Sequence, residues 1–286
     1  MKPAPFEYVK AQSLEEVFDL LERHGDDARL LAGGQSLLPT LNMRLSAPAI
    51  LVDICGLDAL DGISVTGGTL RIGALATHSQ VKASAAVSQN APLLAQAMPY
   101  IAHPAIRNKG TFGGSLANAD PAAELPACIV ALGAELEVAG KGGTRSVPAA
   151  DFFHGLYETA LEPSEVLVAV NIPALSAGYR SGFSEFARRT GDFAISALAA
   201  HARFDGDAAQ DVRLAFSGVD IRPVRAAAAE RLVEGKPVTA ELLVEAKARL
   251  ADDLDPSDDV HASRRMKLHL SGVLLERVLS AMAGAA

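Results

Sequence analysis

Two glycine-centred runs hold the groups that could do chemistry. Residues 110–126 read GTFGGSLANADPAAELP, and residues 30–37 read LLAGGQSL. Runs this small-sided let successive main-chain N–H groups approach an anion closely. Ser36, Thr111 and Ser115 add hydroxyl donors. Neither run matches GxGxxG or GxxxxGK, so the two standard nucleotide fingerprints are absent. Each run alone is equally an ordinary glycine turn. Together, from separate parts of the chain, they can clamp one diphosphate between them. Arg29, Arg107 and Lys109 lie close by in sequence and offset the acidity around them. Asp120 is an acceptor, which suits a ribose hydroxyl or the N-cap of a following helix.

Other chemistries find no constellation. The histidines, at 24, 78, 103, 154, 201, 261 and 269, show neither HExxH nor paired ligand spacing. His103, before Pro104 and near the second glycine run, is the one beside a candidate site. Ser79 and Lys82 form an SxxK match without its partner motifs, and no GxSxG occurs. No catalytic side chain is assigned. The only two cysteines, Cys55 and Cys128, are far apart, so no zinc or iron–sulfur site is expected on this chain. Two buried, reduced thiols in a cytoplasmic protein are the simplest expectation.

Composition narrows the class further. Apolar residues make up 49% and charged residues 21%, as in a globular protein, and 286 residues suggest more than one core. A formal net charge of −8 and the lack of tryptophan argue against a nucleic-acid surface. The first residues, MKPAPFEYVKAQSLEEV, lack the apolar stretch of a secretory signal. No apolar run approaches the roughly 20 residues of a membrane helix.

The elements that must position the two runs can be read from periodicity and punctuation. Residues 13–23 begin with a capping-box pattern, Ser13 then Glu16, and continue as a helix. Strands are expected over 28–32 and 50–54, with a short helix over 39–45. Residues 1–56 therefore form a small αβ unit whose strand-to-helix loop is 33–36. A hairpin over 62–74, helices over 77–82 and 91–100, and an irregular stretch over 101–109 lead into the second run. A helix over 121–132 starts at the Asp120–Pro121 pair. A second hairpin over 134–147 and a strand over 166–172 complete a unit over 57–175. From 176 the pattern changes to three strands (179–187, 195–204, 211–217) and three helices (224–233, 240–250, 263–282). The acid-rich run 252–259 is expected to be a solvated loop. Residues 188–193, RRTGDF, fit either a plain hairpin connection or a turn that sets Phe193 against a planar ligand.

Three segments carry a family resemblance: AGGQSLLP at 32–39, GTFGGSLANADPAAELP at 110–126 and FARRTGDFA at 186–194. In order and spacing they resemble the FAD-binding medium subunits of the molybdenum hydroxylases, the xanthine dehydrogenase and carbon monoxide dehydrogenase family. The likeness extends from Phe6 to the C-terminal helix around Ser263. It implies an α+β fold: a vanillyl-alcohol-oxidase (PCMH)-type FAD-binding domain over 1–175, in two subdomains, and a C-terminal domain over 176–286. It implies FAD held by Leu30, Leu31, Ala32, Gly33, Gly34, Gln35, Ser36 and Leu37 on one side. Thr111, Gly113, Gly114, Ser115 and Asn118 would face them, with Asp120 on the adenosine side. Ile101 and Leu167 would be apolar neighbours of the flavin, and Phe193 would stand where some members carry a tyrosine over the ring. Gln35 replaces a common histidine, and Glu185 stands near a lysine position of some members.

The function so implied is electron transfer. Substrate would be oxidised at a molybdopterin centre in a large partner subunit, and 2Fe-2S clusters in a small partner would pass electrons to FAD. The flavin would serve an external acceptor, in an assembly expected to be a dimer of heterotrimers. A stand-alone FAD oxidoreductase and a non-catalytic nucleotide-binding assembly module are the alternatives.

Overall fold

The computed structural model describes residues 2–284 in three bodies, each built on its own sheet. The first sheet is parallel, in the order Glu7–Lys10, Ile50–Asp53, Ala28–Leu31. Helix Leu14–His24 lays Val17, Phe18, Leu20 and Leu21 on it. The expected capping box is half present. Ser13 accepts from the Glu16 N–H, but the Glu16 carboxylate takes the N–H of Gln12, one residue outside the cap. The short helix after the first glycine run is Leu37–Asn42, earlier than expected, so Pro39 falls in its first turn, where no N–H is needed.

The second body is a five-stranded antiparallel sheet. Its order is Ile63–Thr66, Thr69–Gly73, Val166–Pro173, Glu135–Gly140, Gly143–Pro148, so the two expected hairpins flank the long strand. Against it pack short helices, among them Ala85–Asn90, Pro104–Arg107 and Ala149–Phe152, none of them anticipated. Ala85–Asn90 is capped by Ser84, which accepts from the Val87 N–H. Pro104–Arg107 starts on its proline inside the stretch expected to be irregular. All three are too short for a 3.6-residue period to show.

The second glycine run differs most from expectation, because its centre is a helix, Phe112–Asn118. Thr111 caps it by accepting from the Gly114 N–H. A Cβ on Gly113 would lie 2.4 Å from the Ala74 Cβ, so only glycine lets this helix rest on the end of strand Thr69–Gly73. Ala119, at φ 49°, ends the helix in the left-handed region. The next helix is Glu124–Ala131, not 121–132. Asp120 is therefore not its N-cap; the Asp120 carboxylate closes the preceding turn by accepting from the Ala122 N–H.

The third body has the three expected long strands, Tyr179–Phe186, Ser196–Asp205 and Ala208–Ser217, and three helices. Two-residue strands, Val224–Arg225 and Lys236–Pro237, widen the sheet from three strands to five. The helices are Ala227–Val233, Ala240–Arg249 and Arg264–Ala283. Alternation of small and large residues buries both faces of the middle strand. Ala197 and Ala199 join the core of the second body, while Leu198, Ala200 and Ala202 pack under the C-terminal helices. The acid-rich run is tied down rather than free. Asp253 accepts from the Ala228 N–H, and Asp259 pairs with the buried Lys267 at 2.8 Å.

Filling the helix–strand contact should cost stability. Gly113→Val inserts side-chain volume against Ala74 and should cost about 1–3 kcal/mol or more. Equilibrium denaturant unfolding checks this, and a wild-type midpoint would refute the packing role given to Gly113.

Candidate functional site

The two glycine runs touch through bare main chain. A Cβ on Gly33 would lie 2.2 Å from the Lys109 carbonyl oxygen and 2.7 Å from the Gly110 Cα. Gly110 in turn lies under His78, whose N–H donates to the Gly110 carbonyl at 3.0 Å. The first and second bodies thus meet where the first strand-to-helix loop crosses the entry to helix Phe112–Asn118.

On the first side the main chain presents a row of free donors. The N–H groups of Gly33, Gly34, Gln35 and Ser36 bond to no acceptor among the described residues. They precede helix Leu37–Asn42, and Gly34 holds φ 70°, a left-handed value that aims neighbouring amides the same way. The Gln35 side chain folds onto the Gly33 carbonyl at 2.8 Å. Acceptor-free, with Gly33, Gly34 and Gln35 half-buried and Ser36 exposed, these amides fit the diphosphate of a dinucleotide. Leu30 and Leu31 approach them along the edge strand of the first sheet.

The second side works differently from the sequence expectation. The Gly113 N–H is engaged by the Ala74 carbonyl at 2.8 Å, and the Gly114 N–H by Thr111 Oγ1 at 3.1 Å. These glycines make room; they do not present free donors. Ser115 and Asn118, both half-buried on the same helix, supply the side-chain polar groups. The two arginines expected nearby are occupied. Arg29 donates to the Asp26 and Ala28 carbonyls, and the buried Arg107 to those of Ile101 and Ala102. Lys109 is exposed.

The remaining expected residues are placed as follows. Ile101 and Leu167 are buried in one core with Phe112 and Leu116. Phe193 is 61% exposed on the turn between two C-terminal strands. Asp120 is half-buried, and its Oδ2 accepts from the Tyr157 hydroxyl at 3.2 Å. Tyr157 carried no sequence signal. Cys55, expected to be buried, is exposed, and its thiol donates to the Ala32 carbonyl at 3.1 Å. Burial of the sulfur and the neighbouring Asp53 carboxylate push its pKa up to about 11, so it stays a thiol. Among the described residues no group of His, Cys, Asp and Glu could hold a metal ion.

Two carboxyls lie in the interior behind the second run: Glu185, which the family resemblance singles out, and Glu124, which carries no local signal. Glu124 is 5% exposed, and burial, with a smaller contribution from Asp120, pushes its pKa up to about 7. It opens helix Glu124–Ala131, but a helix N-terminus favours a carboxylate by only about 0.3–1 kcal/mol, too little to offset burial. Glu185 is pushed up to about 8, first by burial and then by the Glu124 charge, and its Oε2 has no hydrogen-bond partner. His78 and His201 are held neutral, their pKa lowered to about 4 mainly by burial.

Comparison with known proteins defines the class. Residues 4–175 match the family described as the FAD binding domain in molybdopterin dehydrogenase, and residues 181–282 match the CO dehydrogenase flavoprotein C-terminal domain. The chain is therefore a flavoprotein of the molybdenum hydroxylase type. It is 38% identical over 281 residues to the 6-hydroxypseudooxynicotine dehydrogenase complex subunit alpha of Paenarthrobacter nicotinovorans, covering 98% of this chain and 95% of that one. Its fold superposes on a chain of carbon monoxide dehydrogenase from Hydrogenophaga pseudoflava with a TM-score of 0.96, at 37% identity, covering 99% and 98% of the two chains. Against quinoline 2-oxidoreductase from Pseudomonas putida 86 the TM-score is 0.94, at 39% identity, again covering 99% and 98%. The chain belongs to the FAD-binding medium subunits of the molybdenum hydroxylases, which are parts of multi-subunit oxidoreductases. When bound, FAD supplies the redox chemistry; the chain's own residues bind it, orient it and shield it.

Two measurements test this site. Gly33→Ala forces a methyl into the Lys109 carbonyl and should separate the loops, lowering FAD affinity by about tenfold or more. Unchanged affinity by titration of the apoprotein would refute the junction as the cofactor's seat. The buried groups also set a pH optimum for folding. Unfolded, both glutamates ionise near 4.5, so stability falls as pH rises from there to about 8. Unfolded, both histidines charge near 6.5, so stability falls as pH drops from there to about 4. Asp259, held down to about 2 chiefly by Lys267, adds a loss at lower pH. The opposed slopes cancel near about pH 5.5. The thermal midpoint of the apoprotein should peak there, and Glu185→Gln should flatten the alkaline limb and move the peak to higher pH.

Proposed function

We propose that this chain holds the FAD diphosphate between the acceptor-free amides of residues 33–36 and the face of helix Phe112–Asn118, and relays electrons through that flavin. The observation that carries the proposal is the row of unpaired N–H groups, set by a main-chain contact against the second run. In detail, Ala32, Gly33, Gly34, Gln35 and Ser36 enclose the diphosphate from one side, with Leu30, Leu31 and Leu37 flanking them. Thr111, Gly113, Gly114, Ser115 and Asn118 form the other wall. Asp120 lies toward the adenosine, Ile101 and Leu167 back the flavin, and Phe193 covers it. Electrons come from 2Fe-2S clusters on a small partner, after substrate oxidation at molybdopterin on a large partner, and leave to an external acceptor. A dimer of heterotrimers in the cytoplasm, with the domain division at 175/176, completes the proposal. The medium-subunit relatives support the multi-subunit setting, and no helix among the described residues is long and apolar enough to cross a membrane.

The purified chain should show a flavin absorption spectrum or acquire one on addition of FAD. Expressed with its neighbouring genes, it should co-purify with one larger and one smaller subunit. A chain that neither carries nor takes up FAD would overturn the proposal. Flavin without partners would point to a stand-alone oxidoreductase.

A further inference from the structure

Arg107 is a buried cation whose hydrogen bonds go to main chain. It is 8% exposed, and its Nη1 donates to the Ile101 carbonyl at 2.7 Å and the Ala102 carbonyl at 2.9 Å. Burying a guanidinium is costly unless it is hydrogen-bonded, and charge-assisted bonds to carbonyls are stronger than neutral ones. The segment it grips is strained. Ala102 sits at φ 43°, a left-handed value that a side chain disfavours.

A second segment leans on that strained residue. Gly191, at φ 88°, brings its main chain so close that a Cβ would lie 2.8 Å from the Ala102 oxygen and 3.2 Å from the His103 Cε1. The turn 188–193 is therefore seated on Ala102 by bare backbone. Within the turn the Asp192 N–H donates to the Arg189 carbonyl at 3.1 Å, while the exposed Arg188–Asp192 pair at 4.0 Å holds little. Phe193 follows Gly191 by two residues, and Ile101 precedes Ala102 by one. One guanidinium thus fixes the main chain from which both side chains project.

We propose that Arg107 is a positioning residue for the flavin ring, holding Ile101 and the Phe193 turn in register through the left-handed Ala102. This rests on the placement of Ile101 and Phe193 beside the ring. Arg107 supplies this from a rigid planar guanidinium whose Nη1 reaches both carbonyls; lysine offers a compact, flexible ammonium instead.

The test uses the full chain, stripped of flavin and reconstituted, as wild type, Arg107→Gln, Arg107→Lys, Gly191→Ala and Phe193→Ala. The readouts are the visible circular dichroism of bound flavin, its midpoint potential, and affinities for FAD and for ADP, which lacks the ring. Arg107→Gln and Gly191→Ala should each change the dichroism and potential in the direction Phe193→Ala does. FAD affinity should fall about tenfold with ADP affinity unchanged. Adding Phe193→Ala to Arg107→Gln should change nothing further, and Arg107→Lys should restore part of the signal. If Phe193→Ala alters the flavin signal while Arg107→Gln and Gly191→Ala do not, the inference is overturned. Parallel loss of ADP affinity would overturn it too, as general damage. If Phe193→Ala itself leaves the signal unchanged, the placement beneath the inference has failed instead. Should Arg107→Gln not fold, Gly191→Ala, on the turn itself, decides the question alone.

Discussion

The close main-chain approach of Gly33 to Lys109 and Gly110 is the constraint on which the rest depends. A side chain at position 33 would keep the two N-terminal bodies apart. With glycine there, the loop after strand Ala28–Leu31 reaches the entry of helix Phe112–Asn118, and two unrelated sheets share one polar seam. Everything around the seam follows from keeping it narrow. Gly113 lowers its helix onto Ala74, Gly110 admits the His78 ring, and Thr111 spends its hydroxyl on the Gly114 N–H. The free donors that remain are concentrated on the first loop. A cofactor seated there touches both bodies, so binding it also fastens them to each other.

Much of this was legible in the chain. Long strands, hairpins and the C-terminal sheet with its helices announce themselves through alternation and turn residues. The two glycine runs stand out because their composition suits no core. What stayed hidden has a physical reason in each case. A run with two adjacent glycines reads as loop, since glycine disfavours helix by about 1 kcal/mol, yet tertiary contact with Ala74 and the Thr111 cap override that. Asp120 before Pro121 reads as a helix start, but its carboxylate closes a tight turn and the helix begins at Glu124. Arg107 beside a glycine run reads as a charge that offsets the surrounding acidity. Only the three-dimensional path shows it turned inward to two carbonyls. The burial of Glu124 and Glu185 arises from contact between distant elements, which no local pattern encodes.

The interior around the seam is unusual in its electrostatics. Arg107 stays charged, whereas His78 beside it is kept neutral by burial and by that same charge. On the far side Glu124 and Glu185 hold protons near neutrality.

The C-terminal sheet has a consequence for the chain's modularity. Its middle strand gives one row of alanines to the second body and a row of larger and small apolar residues to the C-terminal helices. Boundaries drawn in sequence therefore do not mark separable pieces. Cutting near residue 176 would strip Ala197, Ala199 and Ala215 of their cover and leave an adhesive flat surface. Chimeras among relatives would need to exchange the sheet together with helix Glu124–Ala131, which packs against it. In evolutionary terms, the seam and the sheet must drift as one.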